Sequence, residues 1–473
     1  VTRGLQAIAG RRFLLLNWRD RTHPRAGGAE VYTEEVARRL AGAGAEVTLF
    51  TARHEGSAEA ELKDGVSVVR QGGTLGVYLR AALFMLRNRR SFDAVVDFQN
   101  GIPFFAPLFA GGRAAVVLVI HHVHQEQFVL HFPWPASRVG QWLEGPVSRW
   151  VYRHRPVVAV SPSTRRDVRK RLRLRGPVHV VPNGLTRTEQ SAERSSSPFP
   201  HVVVVSRLVS HKRFELLLDA VARLRPGLPD LEVDVVGDGP ERAVLERRAA
   251  ELGLQQHVRF HGFAPAETRD RLLASAWLTV SPSQAEGWGL TVIEANAVGV
   301  PAVGFEVPGL RDSVVPGVTG WLVPEGGDLA EAVRHALGVL ADPEVAAGFD
   351  ERCRAWAGRF SWDSTAERIA AVTSGELDRV RSLPRTRRLT TDLATRVDLS
   401  LDRSRLDESE VGMFLEDRVR RSDQRSVDGG RVSLILHGCD EAGAEVVLSR
   451  LTPARVERLA LATPSEVLIG ATE

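Results

Sequence analysis

The feature that most constrains this chain is the alternation of short, wholly apolar runs with amphipathic helical stretches. RFLLLNW (12–18), EVTLFTA (46–52), DAVVDFQ (93–99), AAVVLVI (114–120), PVVAVS (156–161) and VHVVP (178–182) each read as a strand, and AEVYTEEVARRLAGAG (29–44) reads as a helix ending in Gly. Runs that lack polar alternation are strands buried on both faces, and strand–helix repetition builds a parallel sheet covered by helices. The alternation restarts after TRTEQSAERSSSPFP (186–200) with HVVVVSR, the helix ELLLDAVARLR, then LEVDVVGDGP, HVRFHGF, WLTVSPS and PAVGFE. The expected fold class is α/β: two Rossmann-like domains facing a cleft, at 1–186 and 200–359, with a Ser-rich linker at 187–199. Open parallel sheets bind ligands at the carboxyl ends of their strands, so the cleft is the expected site. Residues 385–473 read as a small appended α/β domain, in which RVSLILHGCDEAGAEVVLSRL (431–451) is a strand, a turn and a helix.

Composition removes several other classes. A chain of 473 residues exceeds one ordinary core. Lys and Arg number 62 against 58 Asp and Glu, a net charge of +4; that balance argues against a nucleic-acid partner. The longest apolar runs fall far short of the roughly 18–20 residues of a membrane span, and VTRGLQAIAG does not read as a secretory leader. Cys353 and Cys439 fit no metal or redox spacing, and reduced thiols in a cytoplasmic compartment are expected.

Three segments carry chemistry. In THPRAGGAEV (22–31), Gly27 and Gly28 stand where a strand turns into a helix, which lets backbone N–H groups approach an anion. In VSRLVSHKR (205–213), Arg207 and Lys212 lie five apart at a strand end, where two cations can hold a diphosphate and offset charge on a leaving group. In SQAEGWGLTVIEA, Glu286 lies in a Gly-rich loop and Glu294 about a turn into the helix that starts near Leu290. A carboxylate accepts two hydroxyl hydrogens, which suits a sugar or a ribose. Taken singly, each segment also reads as a tight turn, a solvated basic loop or unrelated surface acids.

Together and in this order they resemble a family 4 retaining glycosyltransferase of the GT-B fold. The resemblance runs over about 11–375 through AGGAEVYTEEVARRLAGAGAEVTLFTA, AVSPSTRRDV, VVPNGL, VSRLVSHKRFELLLDA, VVGDGPER, VRFHGF, SPSQAEGWGLTVIEANAVGVPAV and GVTGWLVP. It implies that Glu286 contacts the donor sugar, Glu294 the ribose, and Arg207 and Lys212 the diphosphate of a nucleotide-sugar donor. Gly28, with Gly27, is placed toward the phosphates and acceptor side, and Gly287, Trp288, Gly289, Leu290 and Thr291 line the sugar pocket. His121, after a central strand, fits the family's histidine, although His122 stands where an Asp usually follows, and Ser206 replaces a common Gly. FSWDSTAERIAAV (360–372) resembles the closing helix of the fold, at 360–377. The resemblance also implies retention by front-face attack, with His121, Arg207, Lys212 and Glu286 as catalytic residues. No DxD stands in the catalytic segments, so no metal or other cofactor is expected.

Two further readings concern partners. Seven of the eleven residues from Arg165 to Arg175 are basic, and Trp142, Trp150 and Tyr152 precede them, so 164–176 is either a solvated face or a peripheral contact with an anionic membrane's inner surface. The C-terminal stretch weakly resembles GGDEF domains, but Gly429–Gly430 is followed by Arg431 and Val432 in place of acids. The competing readings are a GT-B-fold epimerase and a non-catalytic sensor of the nucleotide sugar. The acceptor is unknown from sequence.

Overall fold

The computed structural model describes residues 3–185, 194–382, 394–400, 423–428, 431–437 and 455–462, with a few single positions between the last segments. The chain forms two compact units, Val1–Pro182 with Asp363–Glu473, and Asn183–Trp362.

The first unit holds an eight-stranded sheet: β1 (Arg12–Leu16), β2 (Glu46–Thr51), β3 (Ala60–Lys63), β4 (Val66–Arg70), β5 (Ala94–Gln99), β6 (Ala115–Ile120), β7 (Val157–Ala159) and β8 (Val178–Val180). Their order is β3-β4-β2-β1-β5-β6-β7-β8, parallel except for β3 at the edge. β5 and β6 are buried at every position, as their unbroken apolar sequence requires. The hairpin β3–β4 goes unpredicted because AELK is polar and mostly exposed. Its signal was the turn: Asp64 and Gly65 both adopt positive φ (51° and 76°), the pairing a two-residue hairpin needs. The helix Trp362–Ser382 belongs with this unit from Asp363 onward. It is fastened there by Arg39 to Asp363, Arg155 to Glu376 at 2.8 Å and Arg381 to Asp93 at 2.9 Å.

The second unit has β9 (His201–Val205), β10 (Glu232–Val236), β11 (Val258–Gly262), β12 (Thr279–Ser281), β13 (Ala302–Phe305) and β14 (Gly320–Val323). Parallel ladders β11-β10-β9 and β12-β13-β14 are joined by a parallel bridge between Val202 and Leu278. Strand order therefore reverses between β9 and β12, as it does between β1 and β5 in the first unit. Both are switch points of doubly wound sheets, where loops diverge and leave room for a ligand. The core is built on Val202, Val204, Val233, Val235, Leu278, Val280 and Val303 from the strands, with Leu217, Val221, Val292 and Leu337 from the helices.

Residues 187–193 of the expected linker lie outside the described residues. The rest, 194–199, is bound into the second unit: Ser195 N donates to Ala274 O (3.2 Å), Ser197 N to Ser275 O (2.9 Å) and Trp277 Nε1 to Ser197 O (2.8 Å). These bonds satisfy backbone groups that a free linker would leave to water.

The C-terminal region forms an antiparallel sheet of β15 (Ala394–Ser400), β16 (Gln424–Asp428), β17 (Arg431–His437) and β18 (Arg455–Ala462), in the order β16-β17-β15-β18. Val397, Leu399, Val432, Leu434 and Leu436 form its core with Leu415 and Ala444. Within the predicted strand–turn–helix at 431–451, the strand is β17, and Ala444, Val447 and Leu448 are helical. Gly429 and Gly430 lie outside the described residues, between strands paired as far as Asp428 opposite Arg431.

Candidate functional site

In the second unit, the loops that leave β9 and β12 converge at the switch point. The loop after β9 makes a short 3-10 turn, Ser210–Lys212, and hands over at Arg213 to the helix Phe214–Leu224. The loop after β12 carries Ser283 and Glu286. Lys212 Nζ forms an ion pair with Glu286 Oε1, and the Ser283 hydroxyl donates to the same oxygen at 2.7 Å. Gln284 N donates to His211 O at 2.9 Å, so backbone as well as side chains joins the loops. Lys212 and Glu286 are 15 and 17% exposed, largely buried yet open to a ligand. Burial pushes the Glu286 carboxyl upward, but the Lys212 ammonium and the Ser283 hydroxyl outweigh it and hold it below the usual carboxylate range.

Arg213 braces this junction, and the sequence reading gave it no role. Its backbone sits in the left-handed region (φ 50°, ψ 42°), unusual for a non-glycine residue. Its Nε donates to Pro282 O at 2.9 Å and its Nη2 to Ser283 O at 3.0 Å, while the guanidinium lies 4.6 Å above the Phe305 ring. Ser283 and Gly309 were likewise missed. Gly309 has φ 81°, and a Cβ there would stand 2.3 Å from Glu286 O. The only available signal for it was a glycine following a strand, in FEVPG.

Glu294 lies in the helix Leu290–Ala297, whose N-cap is Gly289 at φ 84°, a residue with no side chain to bond the first amides. Burial raises the Glu294 carboxyl; Arg269 opposes the shift and Asp270 adds to it. Thr291 lines a small cavity with Ser206, Lys212, Ser281 and Ser283, at the ends of β9 and β12. Gly287 in the loop and Leu290 at the start of the helix are half-buried. Trp288 is only 5% exposed and packs edge-on against Phe360 at 5.0 Å, so its ring supports the loop from the core side. Arg207 is exposed and has no ion-pair partner among the described residues. The structure thus bonds Lys212 directly to Glu286, and joins neither Arg207 nor Glu294 to that pair.

In the first unit, Gly27 caps the helix Gly28–Gly42, and its N–H donates to Glu30 Oε2 at 2.7 Å. Glu30, buried, also accepts from Arg19 Nε (3.1 Å) and Asn100 Nδ2 (3.2 Å), which draws together the loops after β1 and β5. The Gly27 amide is therefore already taken by the protein's own carboxylate, and Gly28 opens the helix beside it. His121 follows β6 and is buried, edge-on to Tyr32 at 5.0 Å and stacked on Phe98. Burial, with a smaller contribution from His124, lowers its pKa to about 3, so the imidazole is neutral near pH 7. Its Nε2 is buried without a hydrogen-bond partner. Nearby, fully buried Glu144 accepts from His124 N (2.7 Å), Gln99 Nε2 (3.1 Å) and Gln125 Nε2 (2.7 Å), a network with no signature in the sequence. Among the described residues, no three His, Cys, Asp or Glu side chains gather as a metal ion would need, and no helix is long and apolar enough to cross a membrane.

Comparison with known proteins agrees with this layout. The family described as Glycosyltransferase Family 4 matches residues 26–189, and Glycosyl transferases group 1 matches 186–356. The chain is 37% identical to a GDP-mannose-dependent alpha-(1-6)-phosphatidylinositol monomannoside mannosyltransferase of Mycolicibacterium smegmatis, over 37% of this chain and 48% of that protein. It is 29% identical to a D-inositol 3-phosphate glycosyltransferase of Thermobispora bispora, over 76% of this chain and 92% of that protein. Among solved structures, sucrose-phosphate synthase from Thermosynechococcus elongatus superposes with a TM-score of 0.64 at 22% identity, covering 76% of this chain and 97% of that one. Anabaena HepE in complex with UDP and glucose gives 0.58 at 20%, covering 76% and 98%. At these identities the structural likeness establishes the GT-B fold alone.

Proposed function

We propose that this chain, a glycosyltransferase of the GT-B class by its fold and its two family matches, moves a hexose from a nucleotide-diphosphate sugar to a hydroxyl acceptor with retention of configuration. The observation that carries the reading is the Lys212–Glu286 pair at the switch point of the second unit. In the structure each group neutralises the other. A bound donor would exchange those contacts: the diphosphate takes Lys212, with Arg207 beside it in the same loop, and Glu286 turns to the sugar hydroxyls. Glu294, partly buried in the next helix, would receive the ribose. The HepE complex with UDP and glucose supports a donor of this chemistry.

Charge builds on the departing diphosphate during transfer, and on this reading Lys212 and Arg207 supply the cations that offset it. Glu286 is held by Lys212 and Ser283, which suits hydroxyl binding better than nucleophilic attack on the anomeric carbon. We therefore read the mechanism as front-face attack, with the leaving phosphate accepting the acceptor's proton and His121 as a neutral group of the first unit at the carboxyl end of β6. With two cations serving the phosphates, transfer is expected to need no metal ion. Activity abolished by a chelator and restored only by Mg²⁺ would refute that part.

The same reading assigns the C-terminal sheet to a degenerate GGDEF-like module. Support comes from strands β16 and β17, which pair antiparallel on either side of the Gly pair. The experiment for the whole reading is transfer from a panel of nucleotide sugars, with the anomeric configuration of the product read by NMR. An inverted product would refute retention, and donor turnover unchanged by Glu286→Ala would refute the site.

A further inference from the structure

The helix Gly76–Arg87, which follows β4 in the first unit, presents a surface that the core does not use. Its inner face is ordinary: Val77, Ala81, Ala82 and Met85 are buried. Outside, Leu75, Leu79, Leu83 and Leu86 fall on one stripe and are 80, 66, 36 and 42% exposed. No Asp or Glu occurs between Gly65 and Phe92. Arg80, Arg87, Arg89 and Arg90 are exposed among these leucines, and none has an ion-pair partner among the described residues.

A helix facing water carries polar residues outward. Exposed leucines along one stripe, with charges of positive sign only, suit a helix lying in the plane of an anionic bilayer. There the leucines enter the acyl boundary and the arginine heads reach lipid phosphates. Over 12 residues the stripe is about 18 Å long. The basic run at 164–176 differs: Leu172 and Leu174 are buried, Arg169 is bonded to Leu174 O and Arg171 is paired with Glu126. No apolar side chain within 165–175 is exposed; the exposed aromatics that the sequence pairs with it, Trp142 and Trp150, stand outside the run at 58 and 62%.

The start of the helix is also tied to the ligand side of its sheet. Trp18 Nε1 donates to Thr74 O at 2.8 Å, and Tyr78 OH donates to Ile102 O at 3.3 Å. Trp18 and Ile102 stand in the loops that leave the carboxyl ends of β1 and β5.

We infer that Leu75–Arg90 is a docking surface for an anionic lipid bilayer, with headgroup phosphates as its ligands. The inference stands on the helix itself and does not require the transferase reading. The test is co-sedimentation of the full chain, at low salt, with vesicles of phosphatidylglycerol and phosphatidylcholine or of phosphatidylcholine alone. Wild type should prefer the anionic vesicles by about ten-fold or more, and high salt should remove most of that preference. Leu79→Asp/Leu83→Asp and, separately, Arg80→Ala/Arg87→Ala should each lower binding about ten-fold with the unfolding midpoint unchanged. Four results would overturn it. They are equal binding to both vesicle types, wild-type binding by both variants, loss of binding only on replacing Arg165, Arg166, Arg169 and Lys170, and a dimer abolished by Leu79→Asp/Leu83→Asp without vesicle binding.

Discussion

Lys212 and Glu286, 74 residues apart in sequence, form an ion pair at the point where strand order reverses in the second unit. Each is positioned by its own loop; Ser283 bonds the pair directly, Arg213 bonds the Pro282 and Ser283 carbonyls, and Gly309 lies against the Glu286 carbonyl. Truncating either member leaves the other a largely buried, uncompensated charge, so the two variants should not behave alike toward a donor. Glu286→Ala should retain nucleotide-diphosphate binding, since Lys212 is freed, while transfer falls about 10²–10³-fold. Loss of nucleotide-diphosphate affinity in Glu286→Ala would contradict the assignment of Lys212 to the phosphates.

Arg213 should act through the positions of its neighbours. Glycine accepts φ 50° without strain, so Arg213→Gly removes the bonds to Pro282 O and Ser283 O while easing the backbone. The expected result is a fold kept near wild-type stability, with kcat lowered about ten-fold and partly restored in Arg213→Lys. Wild-type kcat in the glycine variant would remove the bracing role.

Gly309→Ala makes the opposite change: it keeps every polar group and adds one methyl. That Cβ would stand 2.3 Å from Glu286 O on a backbone at φ 81°. The loop must move, and transfer should fall more steeply than the unfolding midpoint. A fully active alanine variant would show that the loop adapts, against the close approach described above.

Two of the buried titrating groups in the first unit, His121 and Asp97, have opposite pH signatures. His121 is pushed down to about 3, so between the free imidazole value near 6.5 and about 3 the unfolded chain binds a proton that the fold refuses. The stability it confers is therefore present above about 6.5 and lost as pH falls. Burial pushes Asp97 up to about 6, against the Tyr152 hydroxyl and the Phe104 and Ala106 N–H groups. Its contribution is present below about 3.9 and is lost as pH rises through about 6. His121→Phe, between Tyr32 and Phe98, should flatten the acid limb of unfolding midpoint against pH. An unchanged acid limb would contradict a buried neutral imidazole.

Much of this architecture is legible in the sequence because parallel strands buried on both faces announce themselves as apolar runs. AVVDFQ and AVVLVI are strands to within a residue, and the helix after the Gly-rich loop begins at Leu290 as read. Edge elements are less legible: β3 is polar, and only its Asp64–Gly65 turn marks it. At the site, groups whose chemistry is in their side chains could be named from spacing. Arg213, Ser283 and Gly309 could not, because their roles are contacts with carbonyl and carboxylate groups that only the fold brings near. Trp288 shows the converse, a residue in the right motif whose ring turns into the core.

The most direct test of the donor pair is thermal stabilisation by UDP-, GDP-, ADP- and dTDP-sugars, since a ligand that binds the folded state raises its apparent stability by mass action. Wild type should be stabilised by at least one of these donors, Lys212→Met should lose that stabilisation, and Glu286→Ala should respond equally to the sugar nucleotide and to its bare nucleoside diphosphate. Undiminished stabilisation by the intact donor in Lys212→Met, together with an unaltered preference for it in Glu286→Ala, would contradict the account.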